Sequence, residues 1–357
     1  MEDPQKIRQM EIQINSLISE RNKLLAERSN NLLFHNPSVT ETLSELLEAK
    51  KQGEVQKFKN FAAELYDQVR TDYTGDVQKD PIKDMEKFYS VTPYFEFPKR
   101  LGIGAKQKKG NTIILGARPG VGKTKVMTNL VYEDLKEGIP IAVYSLEQNP
   151  VDIWISLAQL WLFDNHKLSV SFWTMSDIMN DVKHAAIKAE FDKWVKIRLP
   201  TIRIINASGY TANDISRSIE SVTQQLKAKP EKVYLDYLQI IKRDPNFRGS
   251  SKENMDLISH VLTTKCKRMN SVFILLSQLN RVSEDKKTPS LSDFKESGAI
   301  EQDAGVAVII ERPLDTDGKP TDEVNFWVVK DRYGGHRGKR VTFIDKQSYF
   351  VGVEKEF

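Results

Sequence analysis

The sequence predicts an α/β protein: a mostly parallel sheet flanked by helices, preceded by a small α-helical N-terminal region. Three observations carry that expectation. Residues Ala117 to Thr124 read Ala-Arg-Pro-Gly-Val-Gly-Lys-Thr, set between the apolar run Thr112 to Leu115 and the start of a helical pattern. From residue 111 onward, short apolar strands alternate with helical stretches, the order that builds a parallel sheet covered on both faces. The first 90 residues instead show helical spacing, many charges and few strand signals.

The bulk composition bounds the answer. A chain of 357 residues suffices for one large α/β domain plus a smaller element. We divide it at 1–90 and 91–357. The net charge of +4, from 53 basic and 49 acidic residues, is no polycation, so any nucleic-acid contact must come from local clusters. The single cysteine, Cys266, excludes a disulfide framework and a Cys-rich zinc site. It falls on a helical pattern with Met255, Ile258 and Leu262, where a core thiol is expected. No apolar run approaches the roughly 20 residues of a membrane span, and Met1 to Arg8 is charged, without a signal-peptide core. A soluble protein of a reducing, cytoplasmic compartment follows as the expectation.

Along the first region, residues 5–30 place Ile7, Met10, Ile14, Leu17, Leu24 and Leu25 at near coiled-coil spacing, interrupted by Arg21 and Arg28. A self-associating helix and a plain amphipathic helix fit equally. Ser38 and Glu41 make a capping box for a helix bearing Val39, Leu43, Leu46 and Leu47, which Gly53 ends. Val55, Phe58, Ala62, Leu65 and Val69 step alternately by three and four, giving another helix. Asp80-Pro81 starts a short one over about 81–89. The segment 90–110, rich in proline, glycine and lysine, is expected to be irregular.

The second region reads as strands at 112–115, 140–145, 201–205, 232–236, 272–277, 305–311, 323–330, 340–345 and 349–352. Asn149-Pro150 opens a helix carrying Val151, Trp154, Ile155, Ala158 and Trp161. Thr211 opens another with Ile215, Ile219, Val222 and Leu226. The last strands follow one another without helices, so they form an antiparallel extension. No internal repeat is present.

The Gly-rich turn fixes the ligand class. Its backbone N–H groups wrap phosphates and the helix N-terminus adds favourable dipole charge. The loop Ala117, Arg118, Pro119, Gly120, Val121, Gly122, Lys123, Thr124 is thus a nucleoside-triphosphate cradle. Lys123 reaches the β and γ phosphates and the Thr124 hydroxyl sits on Mg²⁺. Ala117 replaces the usual first glycine, tolerable because the tight approach falls on Gly120 and Gly122. Hydrolysis further needs a metal anchor, a water activator and charge compensation. In a parallel sheet these belong at C-terminal strand ends. Asp236 ends the strand 232–236 and suits the metal anchor. Glu147, just past the strand 140–145, suits the base that deprotonates the attacking water. Gln278 ends the strand 272–277, fit to hydrogen-bond a γ-phosphate. Lys330 and Arg332 are two apart on an extended chain and so point to one side. They can neutralise a γ-phosphate in their own subunit or in a neighbour. Two long polar segments, 242–254 and 280–300, follow strand ends. Their scattered cations, Arg243, Arg248 and Lys252 in the first and Lys295 in the second, suit the backbone of a single nucleic-acid strand.

Six strings now stand in order. They are Ala117–Thr124, Ser145-Leu146-Glu147, Leu235-Asp236-Tyr237-Leu238-Gln239, Ser277-Gln278-Leu279-Asn280-Arg281, Ser292 to Asp303, and Lys330-Asp331-Arg332. Together they resemble the motifs of DnaB-type replicative helicases over about residues 110–340. That resemblance implies a RecA-like motor domain and a homo-hexameric ring. It implies ATP and Mg²⁺ as cofactors, 5′→3′ movement on single-stranded DNA, and a primase and a helicase loader as partners. By position it makes Glu147 the catalytic carboxylate, Asp236 the metal anchor and Gln278 the γ-phosphate sensor. Lys330 and Arg332 become cations inserted into the next subunit's site. Lys295, Glu296 and Gly298 match the loop that holds DNA in the ring's centre. Two departures stand out. The first 90 residues must supply both an N-terminal domain and a linker helix, for which 81–89 and 54–70 are the candidates. Asp303-Ala304-Gly305 stands where the family often has Asp-Ala-Asp. The compact, divergent N-terminus suggests a bacteriophage or mobile-element version. A RecA-like strand-pairing protein and a ring-loading ATPase are the competing readings.

Overall fold

The computed structural model describes residues 94–352, apart from residues 99–100, 102, 104, 172, 281–288, 295–297 and 347–348. The helices expected within the first 90 residues, the boundary at residue 90, and the residues Lys295 and Glu296 lie outside the described residues.

The core is a nine-stranded sheet built from both sides of the cradle strand. Strand β3 (Asn111–Ala117) lies between β7 (Val272–Gln278) and β8 (Ala304–Glu311) and runs parallel to both. Next to β7 come β6 (Lys232–Asp236), β4 (Ile141–Ser145) and β5 (Ile202–Asn206), all parallel. Beyond β8 the sheet turns antiparallel through β9 (Glu323–Asp331), β10 (Arg340–Lys346) and β11 (Tyr349–Gly352). The sequence expectation of a parallel core with an antiparallel extension holds. Strands such as β4 and β6 are buried at every residue, as strands covered on both faces must be.

Helices cover the sheet. Helix α1 (Lys123–Glu137) follows the Gly-rich turn and ends on Gly138, whose φ of 72° sets the left-handed cap. Helix α2 (Pro150–His166) opens on an Asn149/Asp152 capping box with Pro150 in its first turn. The short helix α3 (Met175–Asn180) is followed by α4 (Ala185–Arg198). Helix α5 (Ala212–Leu226) buries Ile215, Ile219, Val222 and Leu226, the stripe read from spacing. Helix α6 (Ser251–Met269) is capped by Ser250 and buries Met255, Ile258, Leu262 and Cys266. The Cys266 thiol is a core group as expected, and burial pushes its pKa up to about 12. Helix α7 (Gly298–Asp303) leads directly into β8.

Two parts of the fold differ from the sequence reading. The segment 90–110 is not wholly irregular: β1 (Tyr94–Glu96) pairs antiparallel with β2 (Lys106–Lys108). Three-residue strands such as Lys-Gln-Lys carry no apolar alternation to reveal them. Helices α3 and α4 were likewise not read, because α4 buries only Phe191 along its length.

A buried ion pair fixes how α1 sits on the sheet. Lys232, at the start of β6, donates to Asp134 of α1 at 2.6 Å, and Tyr234 donates to the other oxygen of the same carboxylate. Both charged side chains are about 2–3% exposed. Removing one partner would strand the other charge in the core, at a cost of about 3–5 kcal/mol. The contact matters for function because α1 begins with Lys123 and β6 ends with Asp236.

Candidate nucleotide site and its cation pair

The cradle is assembled by the ends of four parallel strands. Beyond β3 the chain turns through Gly120 and Gly122, with φ of 78° and 106°. These are left-handed conformations that glycine adopts without a Cβ penalty. Gly122 caps α1 with no side-chain bond, and the first turn of the helix has no acidic residue. The leading N–H groups therefore have no capping carboxylate, an arrangement that suits an anion. Ala117 ends β3 in ordinary strand backbone, not in the left-handed region that would call for glycine.

Thr124 donates its hydroxyl to Oδ2 of Asp236 at 2.7 Å. The other oxygen, Oδ1, is buried without a hydrogen-bond partner among the described residues. Burial pushes the Asp236 carboxyl above its ordinary range; the Thr124 hydroxyl opposes this, and nearby Glu147 adds to it. Burial lowers Lys123, and the negative charges of Asp236 and Glu147 partly restore it. A hydroxyl, a carboxylate with one idle oxygen and an adjacent second carboxylate are hard oxygen donors, the set that suits Mg²⁺. Among the described residues no group of three acidic, His or Cys side chains could hold a metal alone. A Mg²⁺ held here would complete its shell with phosphate oxygens and water, as that ion usually does.

Glu147 is placed by sheet register. Ser145 of β4 pairs with Asp236 of β6. Leu146 N–H donates to the Asp236 carbonyl at 3.0 Å, and the Ser145 hydroxyl closes the turn onto the Gln148 carbonyl at 2.6 Å. Glu147 then stands exposed at the mouth, beside Asp236 and Lys123. Tyr237 lies under the Lys123 ammonium, 5.4 Å from ring centroid to nitrogen. Gln278 ends β7 opposite Ala117 of β3. Lys123, Thr124, Glu147, Asp236 and Gln278, all expected at one site, share one edge of one sheet.

Lys330 and Arg332 do not join them. Asp331 of β9 pairs with Val306 near the start of β8, while the cradle lies at the far end, where Ala117 pairs with Ile310. Four residues of strand separate the two levels, roughly 13 Å along the sheet. Both cations are drawn to one acceptor, the Gln302 carbonyl at the end of α7, at 3.3 Å for Lys330 and 2.7 Å for Arg332. The pair points to one side as its spacing predicts, and away from its own cradle.

Comparison with known proteins agrees with this fold. Residues 103–352 match the family model described as the DnaB-like helicase C terminal domain. The chain belongs to that family. Its relatives include the replicative DNA helicase DnaB of Mycoplasma genitalium, 28% identical over 257 residues, 68% of this chain and 53% of the relative. The chain thus spans about half the length of that curated relative. Among solved structures, one titled as the ATPase domain of another protein superposes with a TM-score of 0.65 at 21% identity, covering 78% of this chain and 99% of the other. A structure titled as a DnaB-like replicative helicase and its interactions with primase gives 0.68 at 20% identity, covering 89% and 76%. These likenesses establish the RecA-like fold.

Within this DnaB-like domain the two segments expected to meet nucleic acid converge. Lys252, in the first turn of α6, lies beside Gly298 at the start of α7: a Cβ added to Gly298 would stand 3.5 Å from its Cε. Arg248 is exposed on the loop just before α6. Phe294, by contrast, is 1% exposed and offers no stacking face. It pairs with Leu279 in an antiparallel bridge, and Asn280 holds the Asp293 and Phe294 carbonyls at 2.7 and 3.2 Å. Gly116 sits directly beneath: a Cβ there would come within 2.5 Å of the Phe294 ring and 2.8 Å of Leu279. The cradle strand, the Gln278 segment and the base of the 295–297 segment are thereby interlocked.

Three roles escaped the sequence reading. Gln239 donates to the Ser277 hydroxyl at 2.8 Å and accepts from the Gln278 N–H at 3.0 Å. It clamps the strand end that carries Gln278, a long-range contact that its place in a motif does not reveal. Asp331, between the two cations, points the other way and organises the turn after β9. It accepts from the backbone N–H of Tyr333, Gly334 and His336 and lies 2.8 Å from the His336 ring. Burial works against its ionisation, yet these partners outweigh it and hold its carboxyl below the ordinary range. Gly305 now has a reason. A Cβ there would meet Asn111 at 3.1–3.4 Å, and Asn111 accepts from the Tyr333 hydroxyl at 3.1 Å. An aspartate at 305 would have to displace that contact.

Proposed function

We propose that this chain is the motor of a homo-hexameric replicative helicase, hydrolysing ATP between subunits to move 5′→3′ along single-stranded DNA. The observation that carries the reading is the split of the site. One sheet edge bears a cradle with metal donors, a carboxylate and a sensor. The opposite edge bears two cations that cannot reach that cradle within the chain.

The chemistry follows from the placement. Loop N–H groups of Gly120 to Thr124 and the Lys123 ammonium hold the β and γ phosphates. Thr124 and Asp236 would hold Mg²⁺, which would supply charge neutralisation on the phosphates. Glu147 takes a proton from water as its oxygen attacks the γ-phosphorus, and the bond to the β-phosphate oxygen breaks to release ADP. Gln278 hydrogen-bonds the γ-phosphate and changes partner when it leaves. The cation pair of the neighbouring subunit compensates the charge spread over the transferred group. Arg248, Lys252 and Gly298 line the strand's path, and the family resemblance assigns Lys295 and Glu296 to the same role. Residues 1–90 would form a separate helical region, the natural place for contacts with a primase or a loader. The reaction places the protein with replicating DNA in a bacterial or phage-infected cytoplasm.

The test is unwinding of forked DNA by the full chain, with 5′-tailed and 3′-tailed substrates run in parallel. Unwinding that needs a 5′ tail, ATP and Mg²⁺, and that disappears in Glu147→Gln while nucleotide binding persists, is the expected result. ATP-dependent pairing of complementary strands without unwinding would overturn it.

A further inference from the structure

The loop between β6 and α6 holds an aromatic ring in a setting that the hydrolytic site does not use. Asp244 folds residues 243–249 into a compact turn. Its carboxylate accepts from the Asn246 N–H at 2.9 Å and its carbonyl from the Phe247 N–H at 3.0 Å. Arg248 donates to the Pro245 carbonyl at 2.8 Å. The ring of Phe247 packs down on Gly249, where a Cβ would stand 2.5 Å from it. The Arg243 guanidinium lies over the ring, 5.1 Å from its centroid. Arg243, Asp244, Pro245, Phe247, Arg248 and Gly249 line an open concavity of about 410 Å³. That volume falls in the range of ligand clefts, about 300–1,000 Å³.

Position and charge say what fits. Segment 242–254 carries four cations, Lys242, Arg243, Arg248 and Lys252, against the carboxylates of Asp244 and Glu253. It runs straight into Lys252, which touches the start of α7 at Gly298. Arg248 itself lines the concavity, so a strand whose phosphate rests on Arg248 presents a base at its mouth. An arginine plane resting on a phenyl ring is a stacking surface for any base, since every base has a π-face. Resting on the single-stranded-DNA reading above, we propose that Arg243 and Phe247 form a sequence-tolerant subsite for one nucleobase. The phosphates beside it are held by Arg248 and Lys252. This domain then grips its strand through a base as well as through the backbone. The grip is independent of base identity, because stacking is common to all bases and the Asp244 and Arg248 side chains in the lining are bonded to the loop's own backbone.

The experiment compares oligo(dT) with an abasic oligonucleotide of the same length and phosphate count. Both are end-labelled and titrated by fluorescence anisotropy into the full chain with Mg²⁺ and a non-hydrolysable ATP analogue. The unsubstituted protein should bind oligo(dT) on the order of ten-fold more tightly than the abasic strand. Phe247→Leu should erase most of that difference while leaving the abasic affinity and its salt dependence unchanged, which also reports an intact fold. Phe247→Trp should keep oligo(dT) affinity, with tryptophan fluorescence quenched by oligo(dT) beyond any change in the unsubstituted protein and unaffected by the abasic strand. Arg248→Ala with Lys252→Ala should weaken both strands alike and flatten the salt slope. Equal affinities for the two strands in the unsubstituted protein, or an equal loss on both in Phe247→Leu, would overturn the subsite while leaving the strand-binding reading standing. Failure to bind either strand would overturn that reading, and the subsite with it.

Discussion

The two edges of the central sheet differ in how complete they are. At the C-terminal edge of the parallel strands, every group has been given its place by the chain itself. Thr124 is bonded to Asp236, Glu147 is set by the pairing of β4 with β6, and Gln278 is clamped by Gln239. At the other edge, Lys330 and Arg332 both donate to one backbone carbonyl, that of Gln302, a full sheet level away from the cradle. The first edge is preorganised within the chain; the second holds its cations away from that edge. On the function proposed above, that difference makes the hydrolytic unit an interface between two copies, which a single copy does not complete.

The comparison breaks first at Arg332. Arg332→Ala should slow hydrolysis by about 10³-fold or more, with nucleotide affinity of the intact cradle changed less than about two-fold. Steady-state turnover and equilibrium nucleotide titration separate the two. A parallel loss of affinity would put Arg332 in its own cradle after all.

A smaller effect sharpens the second edge. Asp331→Asn keeps the shape but weakens the charge-assisted bonds that hold the turn carrying Arg332. Turnover should fall roughly ten-fold, with nucleotide affinity and DNA affinity retained. Gly334→Ala should disturb the same turn, because its Cβ would collide with Asp331 and His336.

At the first edge, Gly116→Ala tests the interlock. The added methyl group would drive against the Phe294 ring and Leu279 and should destabilise the domain by about 1–3 kcal/mol, read by denaturant unfolding. A neutral result would mean that the base of the 295–297 segment can give way without disturbing the cradle strand.

The smallest effect concerns the cost of preorganisation. The folded-state pKa of Asp236 is raised by burial. Its contribution to stability is therefore full below the unfolded carboxylate value and is lost as pH rises through the raised value. Without metal and nucleotide, Asp236→Asn should melt higher than the parent by roughly 2–4 °C near neutral pH. The gap should close as pH falls toward the ordinary carboxylate range. Mg²⁺ with nucleotide should stabilise the parent more than the variant.

Much of the first edge was legible in the sequence because each element announces itself locally. β3, β4, β6 and β7 are apolar runs, and Thr124, Glu147, Asp236 and Gln278 stand at or just past their flanks. Lys330 and Arg332 were legible as a same-side pair from strand periodicity, and only the register of β8 with β9 shows how far they lie from the chain's own cradle. Contacts that join distant segments were not legible. The Lys232–Asp134 ion pair spans 98 residues and the Gln239–Gln278 clamp spans 39. No periodicity encodes either. The inward role of Asp331 was hidden by its neighbours, since a charged residue between two cations reads as an exposed turn. Helix α4 and the β1–β2 pair were missed because they bury too few apolar side chains to leave a pattern.

The central claim is that one subunit's cradle is completed by another subunit's Arg332, and mixing tests it directly. Lys123→Ala and Arg332→Ala chains, each inactive alone, are combined in equal amounts under conditions that allow subunit exchange, and ATP turnover is measured. In a mixed ring about a quarter of the interfaces join an intact Lys123 to a neighbour's intact Arg332, so turnover should rise well above that of either variant. Turnover no greater than the sum of the two separate proteins, in rings shown to contain both, would contradict the account.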